Sequence, residues 1–562
     1  RAITTAAMKQ AHAIDEAPRG WRLLRLALRD RRTASMLVFG FAAGLPYTLL
    51  LGTLNAWLAE ARVDLATIGV LSWIGLAYAF KFLWSPVVDR LRLPGLERLG
   101  RRKGWLVLCQ AVLGATFLVL AQVDPARAIG WFALAAVVGA FASATQDVVI
   151  DAWRIDVADE VVNVGVLSSI YQLGFRIAAL VGGALALVLA ARIGWPNVYL
   201  AMGFAMLAVL AATFLAPDTP RPVDAVPDAA ARGPSLRDKR IALALVGICW
   251  TWAIVSVGSF MVRALGAAPG TPGPSIGDFT RLTGPWIIVA TAIVPAAVAA
   301  WLNTREAIRF GKGERAGAVE HGYRALVLPL SDLVARLRWG VVIVLGLILS
   351  YRLCDSIWGP FAFPFYLEEL RYTNDEVAFA SKIFGVGMTV LGIAGGGLLY
   401  ATLGRMPTLL IGAVVAAASN LLYADLASGA VAIDGFARAT GLVVLAEAMG
   451  SDARMLRLLL AISGENIAGG LAGAAYVAYL SSIASKQHSA VQYALLSSMT
   501  LLVGSLGRAS LGEAVELYGY APVFRFTAML GIAAVLFCLL EWARVRRSAR
   551  FDRHAGVGEA LR

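Results

Sequence analysis

TQDVVIDAWRIDV, residues Thr145 to Val157, closes an apolar run that begins near Ile129 and sets two carboxylates, Asp147 and Asp151, four residues apart inside it. An apolar helix of roughly 20 residues is what crosses about 30 Å of hydrocarbon. Acid within such a run is costly, about 2.5–3.5 kcal/mol for one charge at the bilayer centre on insertion scales. The rest of the chain decides whether this helix lies in a membrane, and the charges then need a reason to be there.

The chain has 562 residues, of which 59% are hydrophobic, and a mean hydropathy of +0.70. A soluble fold cannot hide that much apolar surface, so an all-α integral membrane protein is expected. The runs are long and continuous, unlike the alternating segments of about 10 residues in a β-barrel. We read fourteen spans, at 36–58, 66–88, 104–122, 129–151, 163–190, 197–215, 241–262, 284–303, 340–367, 374–400, 407–427, 458–483, 490–513 and 520–542. They group as a 36–216 six-helix bundle, a 217–240 linker, two additional helices in 241–303, a basic 304–339 segment and a 340–543 six-helix bundle. The 1–35 segment, with a basic amphipathic stretch Arg19–Arg32, reads as cytoplasmic and interfacial, and 544–562 as a cytoplasmic tail. No cleavable leader is expected.

The net charge of +13 could suggest nucleic acid, but its distribution excludes that partner. With the N-terminus inside, 35 of the 50 Lys and Arg fall on inner segments, 9 on outer ones and 6 within spans. This is the positive-inside bias, and it puts both termini in the cytoplasm. The excess positive charge also favours anionic membrane lipid. The four histidines (His12, His321, His488, His554) fall in loops or tails, so an intramembrane proton carrier must be a carboxylate. The four cysteines fall inside spans, against a disulfide framework, and no cofactor or metal motif emerges.

Six helices followed later by six more predict an internal repeat. LSSIYQLGFR (Leu167–Arg176) and LLSSMTLLVGSLGR (Leu495–Arg508) both run from Leu-Ser-Ser to Leu-Gly and an intramembrane arginine. Repeats around a midplane site are the usual construction of secondary transporters. The glycines of Gly392–Tyr400 and Gly464–Ala475 read as close-packing faces.

Of the six cations within spans, Arg525 sits a few residues into its span and is expected to snorkel to the interface, and the other intramembrane charges nearly balance. Lys81, Arg176, Arg352, Lys382 and Arg508 face Asp147, Asp355 and Glu465, with Asp151 at the boundary. Such charges turn inward and pair. At 1.5 Å per residue, Asp147 lies about 24 Å and Asp151 about 30 Å along the helix from Trp131. Spaced by four, they share one face, and Arg154 one turn on can neutralise Asp151. Asp147 has no local cation and needs a partner elsewhere, such as Lys81, or a proton.

The loop after the second span, WSPVVDRLRLPGLERLGRRKGW (Trp84–Trp105), resembles the loop signature of the major facilitator superfamily, which latches two halves by charge and helix-dipole contacts. With GFAAGLP (Gly40–Pro46), YAFKFLWSPVVDR (Tyr78–Arg90), QDVVIDAWR (Gln146–Arg154), LGFR (Leu173–Arg176), SYRLCDS (Ser350–Ser356), ASNLLY (Ala418–Tyr423), ENIAGG (Glu465–Gly470) and SAVQYALLSS (Ser489–Ser498), the chain resembles the AmpG-type muropeptide permeases of that superfamily. The resemblance implies a proton-driven importer of the bacterial inner membrane. Its substrates would be N-acetylglucosaminyl-1,6-anhydro-N-acetylmuramyl peptides, salvaged in cell-wall recycling, with a link to β-lactamase induction. The chain departs from the pattern in long segments at Ser428–Arg457 and Ala264–Gly284 and in the basic inner segment.

ATP drive is not expected, because FGKGER (Phe310–Arg315) does not complete a phosphate-binding loop. The membrane potential supplies about 2.3 kcal/mol per charge per 100 mV, against about 1.4 kcal/mol per tenfold accumulation, so one proton supports one to two decades. Asp147 is expected to carry the coupling proton, with Glu465, Asp355 and Asp151 as the other candidates. Lys81, Arg176, Arg352 and Arg508 are expected to bind substrate carboxylates, Gln146, Asn466 and Gln492 its polar groups, and Trp57, Tyr171 and Trp358 its sugar faces. Asp89, Arg90, Arg101 and Arg102 are expected to form the cytoplasmic gate. Two alternatives are a transporter of the same fold for another amphiphilic anion, peptide or drug, and a non-transporting sensor or scaffold. No enzyme is indicated.

Overall fold

The computed structural model describes residues 29–63, 72–219, 232–265, 276–305, 308–309, 318–356, 362, 365–373, 376–377, 379–448, 450 and 452–560. Trp358 and the side chains of Arg90, Asp355, Lys382 and Arg508 lie outside that set, as does most of Arg19–Arg32.

In hydrocarbon every backbone N–H must be bonded within its own segment, and each long apolar run accordingly forms a helix. In chain order these are α1 (Arg31–Leu58), α2 (the short pieces Leu76–Phe80, Lys81–Leu83 and Ser85–Arg90), α3 (Arg101–Leu120), α4 (Ile129–Val157), α5 (Val164–Ile193) and α6 (Trp195–Thr213). Then come α7 (Leu236–Leu265), α8 (Ile276–Leu282), α9 (Gly284–Asn303), α10 (Val319–Leu337), α11 (Gly340–Tyr351), α12 (Phe379–Leu403) and α13 (Arg405–Ala427). The last are α14 (Val431–Ala439), α15 (Leu442–Ala448), α16 (Ala453–Ile483), α17 (Ser489–Tyr518) and α18 (Tyr520–Ala560). Among the described residues eleven helices are long and apolar enough to cross a membrane. They correspond to the first, third to eighth, tenth to twelfth and fourteenth expected spans; the other three pass through residues or side chains outside the described set.

The helices pack as two groups. In the first, α1 lies along α5, and α3 along α4 and α6; in the second, α12 and α13 lie along α16, and α18 along α11 and α13. Close approach in the first group rests on glycine. A Cβ on Gly40 would strike the Tyr171 carbonyl, and one on Gly174 the Leu37 carbonyl. Gly174→Ala is therefore expected to cost about 1–3 kcal/mol through overpacking, read as a lower unfolding midpoint of the purified protein. Pro46 interrupts the hydrogen-bond ladder of α1, and a wider turn follows at Leu49–Thr53. Thr53 Oγ1 there donates to the Gly182 carbonyl at 2.5 Å, inside a matching wide turn of α5 at Leu180–Leu185.

The seam between the groups is made by α5 against α12 and α16, and by α17 against α2 and α4. The glycines expected to pack do so: a Cβ on Gly392 would strike the Ile467 carbonyl, and one on Gly470 that of Thr389.

Three segments carry more structure than hydropathy suggested. Helix α4 continues through Arg154 and Asp156 to Val157, beyond the expected end at 151. The basic 304–339 segment contains α10, whose buried Leu330, Leu333, Val334 and Leu337 form one apolar face, and α10 turns by 108° into α11. Its start is tied to α7 by Lys239–Glu320 at 2.7 Å, and Arg232 and Gly233 pair antiparallel with Arg309 and Ile308. The long 428–457 segment folds into α14 and α15, and Arg457 bonds Asp434 at 2.6 Å, holding that carboxyl below its usual range.

Candidate functional site

On an α-helix, residues three and four apart share a face. Asp147, Asp151 and Arg154 thus form one acidic-to-basic edge of α4, directed at α2, α5 and the seam. Lys81 meets it from the tight turn Lys81–Leu83, where α2 breaks. Its ammonium bonds Asp147 Oδ2 and lies 3.5 Å from Asp151 Oδ2. The Tyr171 hydroxyl donates to Asp147 Oδ1 at 2.9 Å, and Arg154 Nη2 donates to Asp151 Oδ1 at 2.7 Å. The result is a continuous polar chain from Tyr171 through Asp147, Lys81 and Asp151 to Arg154.

Burial grades along it. The Arg154 side chain is 0% exposed, those of Lys81 and Asp151 3% and 4%, and that of Asp147 17%. A small solute or a proton therefore reaches Asp147 before the rest. Two cations face two anions, so the chain is neutral when all four are charged. A buried pair in this setting is costly to break, about 3–5 kcal/mol when one partner is removed.

Arg154 also reaches the second group. Its Nε donates to Ser481 Oγ of α16 at 3.1 Å, and its guanidinium carbon sits 5.0 Å from the rings of both Tyr171 on α5 and Tyr493 on α17. Its Nη1 is buried with no hydrogen-bond partner among the described residues.

A second cluster crosses the seam at the end of the molecule that the Lys/Arg bias assigns to the cytoplasm, here termed the basic end. Arg102 is fully buried and donates to Asp89 Oδ1 at 2.8 Å, Asp156 Oδ2 at 2.9 Å and Ser489 Oγ at 2.8 Å. Ser489 Oγ donates in turn to Asp156 Oδ1 at 2.9 Å. Asp89 Oδ2 accepts the Val491 N–H at 3.1 Å, so a carboxylate of the first group caps the N-terminus of α17 in the second. Arg101 bonds the Asp89 carbonyl at 3.2 Å and Asp156 at 3.3 Å. Asp156 is not among the residues expected from the sequence, because a span ending at 151 leaves it in a loop, whereas the helix runs on to Val157. Arg90 was expected here, and its side chain lies outside the described residues.

In the second group Glu465 Oε2 accepts from Tyr423 at 2.8 Å and from Asn466 at 3.3 Å. Tyr423 is 2.8 Å from Tyr366, and Thr389 donates to Asn466 Oδ1 at 2.7 Å. Arg352 reaches the Gly469 carbonyl at 3.4 Å. Beside it, a Cβ on Gly473 would lie 3.1 Å from Gln172 Nε2 of α5 and 3.6 Å from Arg352 Nη1, which puts Arg352 and the unforeseen Gln172 together at the seam. Arg176 is half-buried on α5.

Other expected residues are engaged elsewhere. Gln146 turns to α1, donating to the Ala42 carbonyl at 2.7 Å, because close α1 packing takes its amide. Trp57 packs in an aromatic cluster with Phe132, Trp195 and Tyr199 at centroid separations of 5.1, 6.2 and 4.9 Å. Gln492 holds α10 to α17: its Oε1 accepts from Arg336 at 2.8 Å, and its Nε2 donates to the Pro329 carbonyl and to Asp332, each at 2.8 Å. Tyr171 serves Asp147 through its hydroxyl. Asp355, Arg508 and Trp358 lie outside the described residues or side chains.

The family model of the Major Facilitator Superfamily matches residues 36–453. The chain is similar to the anhydromuropeptide permease of Escherichia coli strain K12, 29% identical over 525 residues covering 92% of this chain and 81% of the relative. It is also similar to a protein described as putative transporter AmpG 4 of Rickettsia conorii, 24% identical over 91% of this chain and 96% of the relative. Among solved structures, the human organic anion transporter MFSD10 and the proton:xylose symporter XylE each superpose with a TM-score of 0.51. They are 14% and 13% identical, cover 90% of this chain, and are themselves covered to 99% and 94%. That likeness shows the fold. A family match over well more than half of the chain, on a multi-pass fold of two packed helical groups, makes this protein a membrane transporter belonging to the major facilitator superfamily.

Proposed function

We propose that the protein is a proton-coupled importer of anhydromuropeptides in a bacterial inner membrane, with its basic end in the cytoplasm. The observation that carries this reading is the neutral, buried chain Tyr171–Asp147–Lys81–Asp151–Arg154, which runs from a partly accessible carboxylate to the seam between the groups. The substrate class rests on the relative from Escherichia coli.

In this mechanism Asp147 takes the coupling proton, because it is the most accessible carboxylate of the chain and its charge is shared with Lys81. Once Asp147 is neutral, Lys81 is free to engage a substrate carboxylate. Arg352 and Gln172, together at the seam, hold the other end of the cargo from the second group. Asp151 stays with Arg154, and Glu465 forms a separate carboxylate site among tyrosines. The Asp89–Arg102–Asp156–Ser489 cluster is the cytoplasmic gate, which parts when the groups rock about the seam.

The test uses the purified full chain in proteoliposomes with labelled N-acetylglucosaminyl-1,6-anhydro-N-acetylmuramyl tripeptide. An imposed inward proton gradient should drive accumulation of tenfold or more above the outside concentration, and a protonophore should abolish it. Binding with no uptake under the gradient favours a sensor and overturns the proposal. Uptake that only equilibrates, indifferent to protonophore, removes proton coupling. Proton-driven uptake of a different amphiphilic anion, unaffected by excess anhydromuropeptide, leaves the mechanism and replaces the cargo.

A further inference from the structure

Spacing along α4 gives Arg154 one local partner, Asp151. Its surroundings show more: it is the point where the buried chain of the first group touches the second. The charged and titratable groups around it are Lys81 from α2, Asp147 and Asp151 from its own helix, Tyr171 from α5 and Tyr493 from α17, while α16 contributes the Ser481 hydroxyl.

We propose that Arg154 is the relay that converts the charge state of the Asp147–Asp151 pair into closure or opening of the seam. The inference rests on the reading of that pair as the proton site. With both carboxylates ionised, the two cations are matched and Arg154 can stay enclosed, docked on Ser481 and between the two tyrosine rings. Protonation of one carboxyl leaves two cations on a single anion. With Asp147 neutral, Lys81 and Arg154 share the Asp151 carboxylate, so part of the excess positive charge falls on a guanidinium that is 0% exposed and has one nitrogen without a hydrogen-bond partner among the described residues. An unmatched buried charge favours any arrangement that lets it reach water. Releasing Ser481 and Tyr493 does this, and those are contacts across the seam. The gate at Asp89, Arg102 and Asp156 has its own ion pairs and would then yield to, rather than sense, the proton.

Arg154 is thus a positioning residue, and its readout is a pH-dependent distance rather than activity. Spin labels on Glu160→Cys and Gln487→Cys, both exposed and on opposite sides of the seam at the basic end, report the gap in full-length protein in lipid nanodiscs, with half-buried Cys249 replaced by alanine. Lowering the pH from 8 to 5.5 should raise the long-distance fraction in the parent at least threefold. Arg154→Gln should remove at least four-fifths of that response. The pair Ser481→Ala with Tyr493→Leu leaves Arg154 bonded to Asp151 and creates no unmatched charge. It should already show the long-distance state at pH 8, which keeps the test decisive if Arg154→Gln folds poorly. A parent with no pH response, or an unchanged response in both variants, overturns the relay. If instead Asp147→Asn keeps the parental response while Arg154→Gln loses it, the relay survives and the assignment of the proton to Asp147 fails.

Discussion

Asp147→Asn is expected to abolish proton-driven accumulation, lowering the inside-to-outside ratio of labelled anhydromuropeptide by one to two decades while leaving exchange down a gradient measurable. Asparagine keeps nearly the same volume and can still accept from Tyr171, so local packing is preserved. The charge, however, is gone for good. Lys81 retains only Asp151, at 3.5 Å, and the chain is fixed in its protonated charge state. A carrier that cannot lose its proton cannot couple to the potential, whose contribution is about 2.3 kcal/mol per charge per 100 mV. An anionic cargo then faces the inside-negative potential unaided. The uptake rate should also stop varying with external pH. Accumulation at the parental level with the parental pH profile would remove Asp147 from the mechanism and shift attention to Glu465, the half-buried carboxylate beside Tyr423 in the second group.

The second large effect is expected at the basic end. Arg102→Ala removes the fully buried cation that holds Asp89, Asp156 and Ser489 together. Truncating one partner of a buried ion pair costs about 3–5 kcal/mol, because the remaining charge stays enclosed. Here two carboxylates are left. Asp156 keeps Arg101 as its one cation, with the Ser489 hydroxyl, and Asp89 keeps the Val491 N–H. Parting the two groups hydrates both, so the penalty falls on the closed arrangement. A conformational equilibrium moved by that energy changes by about two to three and a half decades. Ala490→Cys, at a position 1% exposed in the closed seam, reports it. Its reaction with a water-soluble thiol reagent should be at least tenfold faster in the Arg102→Ala background, and substrate accumulation should fall. Equal labelling rates in the two backgrounds would show that this cluster does not hold the seam.

Much of this was legible before any coordinates. Continuous apolar runs of about 20 residues specify membrane helices because the bilayer leaves backbone groups no other partner, and that rule is local. The spacing of Asp147, Asp151 and Arg154 specifies a shared face because helix geometry is local too. The loop from Asp89 to Arg102 resembled the superfamily's latch signature in its charges and glycines, and the fold brings both residues to the seam. Even the packing role of Gly392 and Gly470 followed from composition.

What the sequence could not settle was partnership across the chain. Charge balance offered Lys81 as one possible partner for the Asp147 it bonds 66 positions on, among several cations, and the N-terminus of α17 that Asp89 caps lies 402 positions away. Neither distance leaves a trace in hydropathy or spacing. Gln492 and Gln146 were expected to meet polar groups of a substrate, and in the fold their amides donate to Pro329 and Asp332 and to Ala42. Asp156 looked like a loop residue because a charge normally ends a span, and the arrival of Arg102, Arg101 and Ser489 makes its burial tolerable. Helix existence and helix face are set by neighbours within a few residues, whereas the worth of a buried charge is set by whichever opposite charge the fold brings to it, and that is decided in three dimensions.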